Sequence, residues 1–170
     1  IRPEKLSRPD RSMKSERVMS GPDFDGEMFG ELVSDFLDEG TQLLATMNQR
    51  LLHVEEMLCD GKHDSITASN NLELINEIFR AAHSLKGASA MPGLSNVIEL
   101  THRLENVLDA NRSGQLDLRR PLVDVLFRCV DRLESMMTRL REEQDFEITS
   151  EDHAFFTWLD GELAGAMGAT

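Results

Sequence analysis

Apolar residues recur at steps of three and four along most of this chain, and a period of two is nowhere sustained. This spacing places apolar side chains on one face of an α-helix and argues against a sheet. It is found in five segments, at about residues 25–59, 72–90, 94–111, 119–142 and 150–166. The pattern predicts an all-α protein, an up-down four-helix bundle with an additional C-terminal helix.

Proline, glycine and polar residues indicate where these helices begin and end. Pro92, which Gly93 follows, should end the second helix, because proline cannot continue it. Pro121 fits the first turn of the fourth helix, and Ser150 is expected to be the N-cap of the last. The polar residues 60–71 are then a connection between the first two helices.

The first 22 residues differ in composition from the rest of the chain. They contain prolines, serines, scattered charges and a Gly21-Pro22 pair, with few large apolar residues. We therefore predict a flexible leader or linker over residues 1–22 and a helical bundle over residues 23–170. Because the chain begins at Ile1 without a methionine, we expect it to be a piece of a longer protein.

Charge and hydropathy narrow the class of partner. The formal net charge of −13 argues against nucleic acid. No apolar run approaches the roughly 18 residues that a membrane span needs, and no charged-then-apolar leader marks secretion. The two cysteines, Cys59 and Cys129, have no framework spacing, which is typical of a reducing compartment. We expect a cytoplasmic domain that binds neither nucleic acid nor membrane.

The second predicted helix carries an unusual set of polar and small residues. At 100° per residue its apolar residues fall on one face, and His83, Lys86, Gly87 and Ala90 fall on or near the other. Glycine inside a helix costs about 1 kcal/mol relative to alanine, so propensity gives no reason for Gly87. Access is one physical reason, because a missing side chain lets another protein approach the imidazole. The spacing indicates that His83 reacts with a partner.

The third predicted helix supplies a second polar set, His102 and Glu105. If the second and third helices pair antiparallel, these residues can converge with His83 and Lys86. A carboxylate that accepts from one ring nitrogen fixes the tautomer and leaves the other nitrogen nucleophilic. The lysine would offer a cation to phosphoryl oxygens. Together they would form a nucleophile, an orienting group and a charge stabiliser.

At these residues the sequence resembles a known family. His83, Lys86 and Gly87 match the His-x-x-Lys-Gly signature of histidine phosphotransfer (HPt) domains. Two longer strings, residues 78–86 and 101–109, are similar to the phosphoacceptor (P1) domain of chemotaxis-type sensor histidine kinases. The resemblance covers about residues 27–141 and implies an HPt-type bundle.

The resemblance also implies a function in two-component signalling. In that family, an ATP-binding kinase domain phosphorylates the first histidine, and the phosphoryl group then passes to an aspartate of a response regulator receiver domain. Carried over by match, His83 is the phosphoacceptor, Glu105 orients it, and His102 and Lys86 complete the hydrogen-bonding network. Gly87, together with Ala90, would give the partners access.

The sequence contains no glycine-rich phosphate loop of either common type. This chain alone should therefore be a phosphoryl carrier within a sensor histidine kinase. It should bind no cofactor or metal itself, with ATP and Mg on partner domains.

Two other interpretations are open. An acidic helical interaction module would dock a partner without chemistry. A metal-binding bundle would use Glu99-x-x-His102, the unit found in di-iron carboxylate proteins. Those proteins need two such units plus further inward-facing glutamates, and the sequence contains only this one.

Overall fold

The computed structural model describes residues 26–59, 65–143 and 147–168. Within these ranges the chain forms helices and no strand. The helices are α1 (Gly26–Cys59), α2 (Ser65–Ala90), α3 (Ser95–Arg112), α4 (Arg120–Glu143) and α5 (Ser150–Gly168). The predicted all-α class is confirmed. The predicted leader, residues 1–22, and the predicted break at residues 60–64 lie outside the described residues.

The first four helices form an up-down bundle. α1 packs against α2 and α4, and α3 packs against the same two helices. Along the α1–α4 contact, Asn48 donates to Glu134 at 2.8 Å and Arg120 donates to Glu55 at 3.4 Å. Higher numbers on α1 thus meet lower numbers on α4, so the two helices run antiparallel.

The predicted apolar stripes face one another in the bundle and make one large core. Burying each large aliphatic side chain contributes about 1.5–3 kcal/mol, so these stripes hold the bundle together. The largest fully buried side chains are Met47, Leu51, Ile75, Ile78, Leu85, Leu94, Leu100, Leu104, Leu108, Leu126, Leu133 and Met136.

Gly40 lies buried where α1 meets α2 and α4. A Cβ atom at this position would lie 2.8 Å from Cε of Met137 and 3.2 Å from Cδ1 of Leu85. These separations are shorter than ordinary van der Waals contact, so the missing side chain lets the three helices approach closely.

α2 begins at Ser65, seven residues before the predicted start at Leu72. The prediction was wrong because residues 65–71 are mainly polar and show no apolar period, although they include neither proline nor glycine. Without a helix-breaking residue, the helix extends beyond the segment that shows apolar periodicity in the sequence.

The start of α5 is capped one residue earlier than predicted. The hydroxyl of Thr149 accepts from the backbone N–H of Asp152 at 3.2 Å, and the Asp152 carboxylate accepts from the backbone N–H of Thr149 at 2.9 Å. This reciprocal pair is a capping box, so Thr149, and not Ser150, is the N-cap.

α5 is fixed to α4 by a fully buried carboxylate. Asp152 accepts from Arg132 at 2.6 Å and from Arg139 at 2.8 Å. Burial by itself raises the pKa of Asp152, but hydrogen bonds from Thr149, Arg139 and Arg132 outweigh it and hold the pKa below its ordinary value. On its other side α5 contacts α3, where Arg103 donates to Asp160 at 3.1 Å.

No described helix has both the length and the apolar character that a membrane crossing requires.

Candidate phosphoacceptor site

α2 presents His83 to solvent because Ile78, Ala82 and Leu85 take the opposite, buried face of the helix. The side chain of His83 is 67% exposed. Gly87 and Ala90, four and seven residues further on, are also exposed and lie on the same side of α2. The orientation predicted for these residues is confirmed.

α3 places Glu105 opposite His83. Oε1 of Glu105 lies 3.0 Å from Nδ1 of His83, and Oε2 accepts from Nζ of Lys86. Glu105 is only 6% exposed, so it is a buried carboxylate whose two oxygens each have a hydrogen-bonding partner. A buried charge needs such partners, and here both come from α2.

This geometry determines which ring nitrogen is available for reaction. The ion pair with Lys86 favours an ionised Glu105, and an ionised carboxylate only accepts hydrogen bonds, so we assign the shared proton to Nδ1 of His83. The neutral imidazole then keeps its lone pair on Nε2. The positively charged ammonium group of Lys86, a side chain that is 29% exposed, pairs with the other oxygen of the same carboxylate. The arrangement can supply a nucleophilic nitrogen with a fixed tautomer.

His102 does not join this cluster. It is exposed and makes no hydrogen bond or ion pair within the described part of the chain. Glu105 borders the buried stripe of α3, whereas His102 lies about 60° further round the helix toward solvent. The structure therefore shows no bond from His102 to the other three residues, and its place in the network and in phosphotransfer stays a prediction.

Gly87 has open space beside it. A Cβ atom built at Gly87 meets no heavy atom within 4 Å among the described residues. Close helix packing, the alternative reason for a glycine here, therefore does not explain the residue. The empty position leaves the surface next to His83 accessible.

Two further side chains at the site were not found from the sequence. The ring of Phe79 stacks on that of His83, with centroids 6.3 Å apart and planes 12° apart. The guanidinium carbon of Arg112 lies 4.5 Å from the centroid of the Phe79 ring. The i, i+4 spacing of Phe79 and His83 was a usable signal, whereas the contact with Arg112 depends on how α2 and α3 pair.

The metal-binding interpretation finds no support in the described residues. The carboxylate of Glu99 pairs with Arg103 on the next turn of α3. No group of three or more histidine, cysteine, aspartate or glutamate side chains in the described ranges is arranged to hold a metal ion.

Comparisons with known proteins identify relatives of this bundle. Residues 31–143 match the sequence model of the Hpt domain. The chain is 40% identical over 110 residues to chemotaxis protein CheA of Bacillus subtilis, a match covering 65% of this chain and 15% of that protein. It is 30% identical over 112 residues to sensor histidine kinase CheAY of Helicobacter pylori, covering 66% and 13%. The chain thus spans about 15% of the length of the curated relatives it matches.

A solved structure has the same fold. It is the phosphorylated P1 domain of CheA3 in complex with CheY6 from R. sphaeroides, with a TM-score of 0.65 and 23% sequence identity. The superposition covers 80% of this chain and 98% of that one. It confirms the four-helix bundle with an additional helix.

Proposed function

The chain belongs to the Hpt domain family, and we propose that it is the phosphoacceptor domain of a chemotaxis-type sensor histidine kinase. The observation that carries the proposal is the hydrogen bond between Nδ1 of His83 and Glu105, made while the imidazole itself stays largely exposed. A histidine with only a structural role would not require this exposure. An unreactive surface histidine would not require a buried carboxylate as its hydrogen-bonding partner.

The first transfer phosphorylates the histidine. Nε2 of His83 attacks the γ-phosphorus of ATP held with Mg by a separate kinase domain. A nitrogen–phosphorus bond forms, the bond from that phosphorus to the bridging oxygen breaks, and ADP leaves. Glu105 accepts the hydrogen bond of Nδ1–H throughout and stabilises the positive charge that the ring gains. Lys86 supplies a cation for the incoming phosphoryl oxygens.

The second transfer removes the phosphoryl group from the histidine. A carboxylate oxygen of an aspartate on a receiver domain attacks the phosphorus, and the nitrogen–phosphorus bond breaks. The bonding electrons return to Nε2 as its lone pair, which restores the starting imidazole. Both partners must reach the same atom, and the exposed surface at Gly87 and Ala90 leaves room for each in turn.

We also place the domain in the cytoplasm. ATP is available there to the kinase domain that we propose as its phosphodonor. Cys59 and Cys129 are both free thiols, which fits a reducing compartment.

The test is phosphorylation by the ATP-binding domain of a chemotaxis kinase with labelled ATP. His83→Gln should lose the label and keep the helical circular dichroism spectrum, because the side chain packs in no core. The product of the parental chain should be acid-labile and base-stable, as a phosphoramidate is. His53→Gln, an exposed histidine on α1, is the matched control and should be labelled normally. A label that persists in His83→Gln, or no label on the parental chain, would contradict the proposal and favour a docking module without chemistry.

A further inference from the structure

We propose that Phe79, held in place by Arg112, is a positioning residue that fixes the plane of the His83 imidazole. This inference rests on the proposed function, because it concerns how the reacting nitrogen is aimed. It adds two residues, one on α2 and one on α3, to the site residues that were predicted from the sequence.

The first observation is the stack between the two rings. Phe79 lies one helical turn before His83 on α2, and their planes are within 12° of parallel. The centroid separation of 6.3 Å is within the range of offset aromatic pairs. Phe79 also packs against the hydrophobic core, so its ring is held by the bundle and is not a loose surface group.

The second observation is the restraint on Phe79 from α3. The Arg112 guanidinium carbon, 4.5 Å from the Phe79 centroid, is at cation–π distance. Nη1 of Arg112 in turn lies 3.0 Å from Oδ1 of Asp109. A chain of contacts therefore runs from Asp109 through Arg112 and Phe79 to His83. α3 contacts the histidine twice, directly through Glu105 and indirectly through this chain.

The chemistry gives a reason for the second contact. One hydrogen bond at Nδ1 restrains the position of that atom but leaves the ring able to rock about it. The lone pair of Nε2 lies in the ring plane, and in-line attack requires it to point at phosphorus. Since the imidazole is 67% exposed, solvent on its open side offers no such restraint. A stacked neighbour restrains the rocking that the hydrogen bond allows.

The experiment measures single-turnover phosphorylation of the full chain by the kinase domain at saturating concentration. Phe79→Leu removes the ring while keeping an apolar side chain, and it should slow the chemical step about ten- to a hundredfold. Phe79→Tyr keeps the ring and should restore a near-parental rate. Arg112→Met should slow the step less, because Phe79 remains but is no longer held. The concentration of kinase domain giving half the maximal rate should change little.

Phe155→Leu is the matched control. Phe155 is a partly buried aromatic residue on α5 that packs against the same core and contacts Trp158 instead of His83. Its replacement tests whether any loss of ring packing slows the reaction. The control should react at the parental rate even if its melting temperature falls as far as that of Phe79→Leu.

A second measurement does not depend on phosphotransfer. Carbon-13 relaxation of the unphosphorylated His83 imidazole should show greater ring motion in Phe79→Leu than in the parental chain. The ring protons of His83 should also lose the chemical-shift contribution from the Phe79 ring current, while Nδ1 stays protonated. Failure of the kinase to label the parental chain would refute the proposed function, and the same spectra would still decide whether Phe79 restrains the ring. Unchanged ring motion and rate in folded Phe79→Leu would overturn the inference. So would equal slowing in Phe155→Leu.

Discussion

Glu105 of α3 is a buried carboxylate whose Oε1 lies 3.0 Å from the Nδ1 atom of the exposed His83 on α2. The pair joins the interior of the bundle to its solvent-exposed surface. Lys86 occupies the other oxygen, so the carboxylate cannot rotate away without losing an ion pair. The imidazole proton is therefore held on Nδ1, the nitrogen that faces Glu105. The nucleophilic nitrogen, Nε2, is left on the side of the ring that a partner can approach.

Removing this carboxylate should slow the chemistry more than it weakens docking. Glu105→Ala should lower the phosphorylation rate by about ten- to ten-thousand-fold, the range found when a proton-handling group is lost. Binding to the kinase domain should stay within a few-fold, because Glu105 is buried. Single-turnover rates and titration calorimetry on one preparation measure the two effects. Asp124→Ala, which removes an exposed acid from α4, controls for net charge. A parental rate in Glu105→Ala would reduce Glu105 to a structural role.

His102 should matter less than Lys86. Lys86 pairs with the Glu105 carboxylate, whereas His102 makes no hydrogen bond or ion pair in the described part of the chain. Lys86→Ala should therefore slow phosphorylation clearly, and His102→Ala should slow it much less than Glu105→Ala does. Parallel initial rates at fixed kinase concentration give the order. Equal losses in His102→Ala and Glu105→Ala would mean that His102 turns toward the site when a partner binds.

Because α5 is fixed to α4 through the Asp152 carboxylate, we expect this attachment to be sensitive to acid. Its pKa is lowered in the folded state, so the unfolded chain, with an ordinary value near 3.9, takes up the proton first as the pH falls. The stability that it contributes is present above about pH 3.9 and is lost as the pH falls through the lower folded pKa. Above pH 5, Asp152→Asn should lower the free energy of unfolding by about 3–5 kcal/mol, because it removes the buried negative charge that Arg132 and Arg139 both contact.

Fluorescence provides the measurement for Asp152. Trp158 is the single tryptophan of the chain and lies on α5, so its emission in urea titrations reports the attachment of that helix. The difference in unfolding free energy between the parental chain and Asp152→Asn should shrink below about pH 4, since a protonated aspartate resembles asparagine. Glu151→Gln, a neighbouring acid that is 82% exposed, should show almost no difference at any pH. A constant gap for Asp152→Asn would contradict the assignment.

The sequence was sufficient for features that repeat with the helical period. The stripes of α1 and α4, and the outward face of α2 with His83 and Gly87, follow from where apolar residues fall around each helix. The buried state of Glu105 is different, because a charged residue at the edge of a stripe can turn either way. The partners on the facing helix decide it, and here Lys86 and His83 draw it inward.

Features that depend on pairing between helices were beyond the sequence. Arg112 reaches Phe79 only because α2 and α3 run antiparallel in one particular register. Asp152 likewise gains its two arginines from α4 across a chain separation of 13 and 20 residues. Helical periodicity reports which face is buried, but it holds no information on which residues of two faces meet.

Gly87 allows the sharpest test of access to His83. The open space at this position means that Gly87→Ala should introduce no clash and should stabilise α2 by up to about 1 kcal/mol through helix propensity. Gly87→Arg should also fold, since arginine is a good helix former, but its side chain stands one turn from His83 on the exposed face. It should hold a receiver domain beyond the short distance that in-line transfer requires, and so slow transfer far more than Gly87→Ala does.

Gly30→Arg is the matched control, because Gly30 is another exposed helical glycine with open space for a Cβ atom. Thermal melts and the rate of phosphoryl transfer to a receiver domain, measured on all three variants, separate access from stability. Transfer at the parental rate in a stable Gly87→Arg would refute the access role, and slow transfer in Gly30→Arg as well would point to a general effect of the added charge.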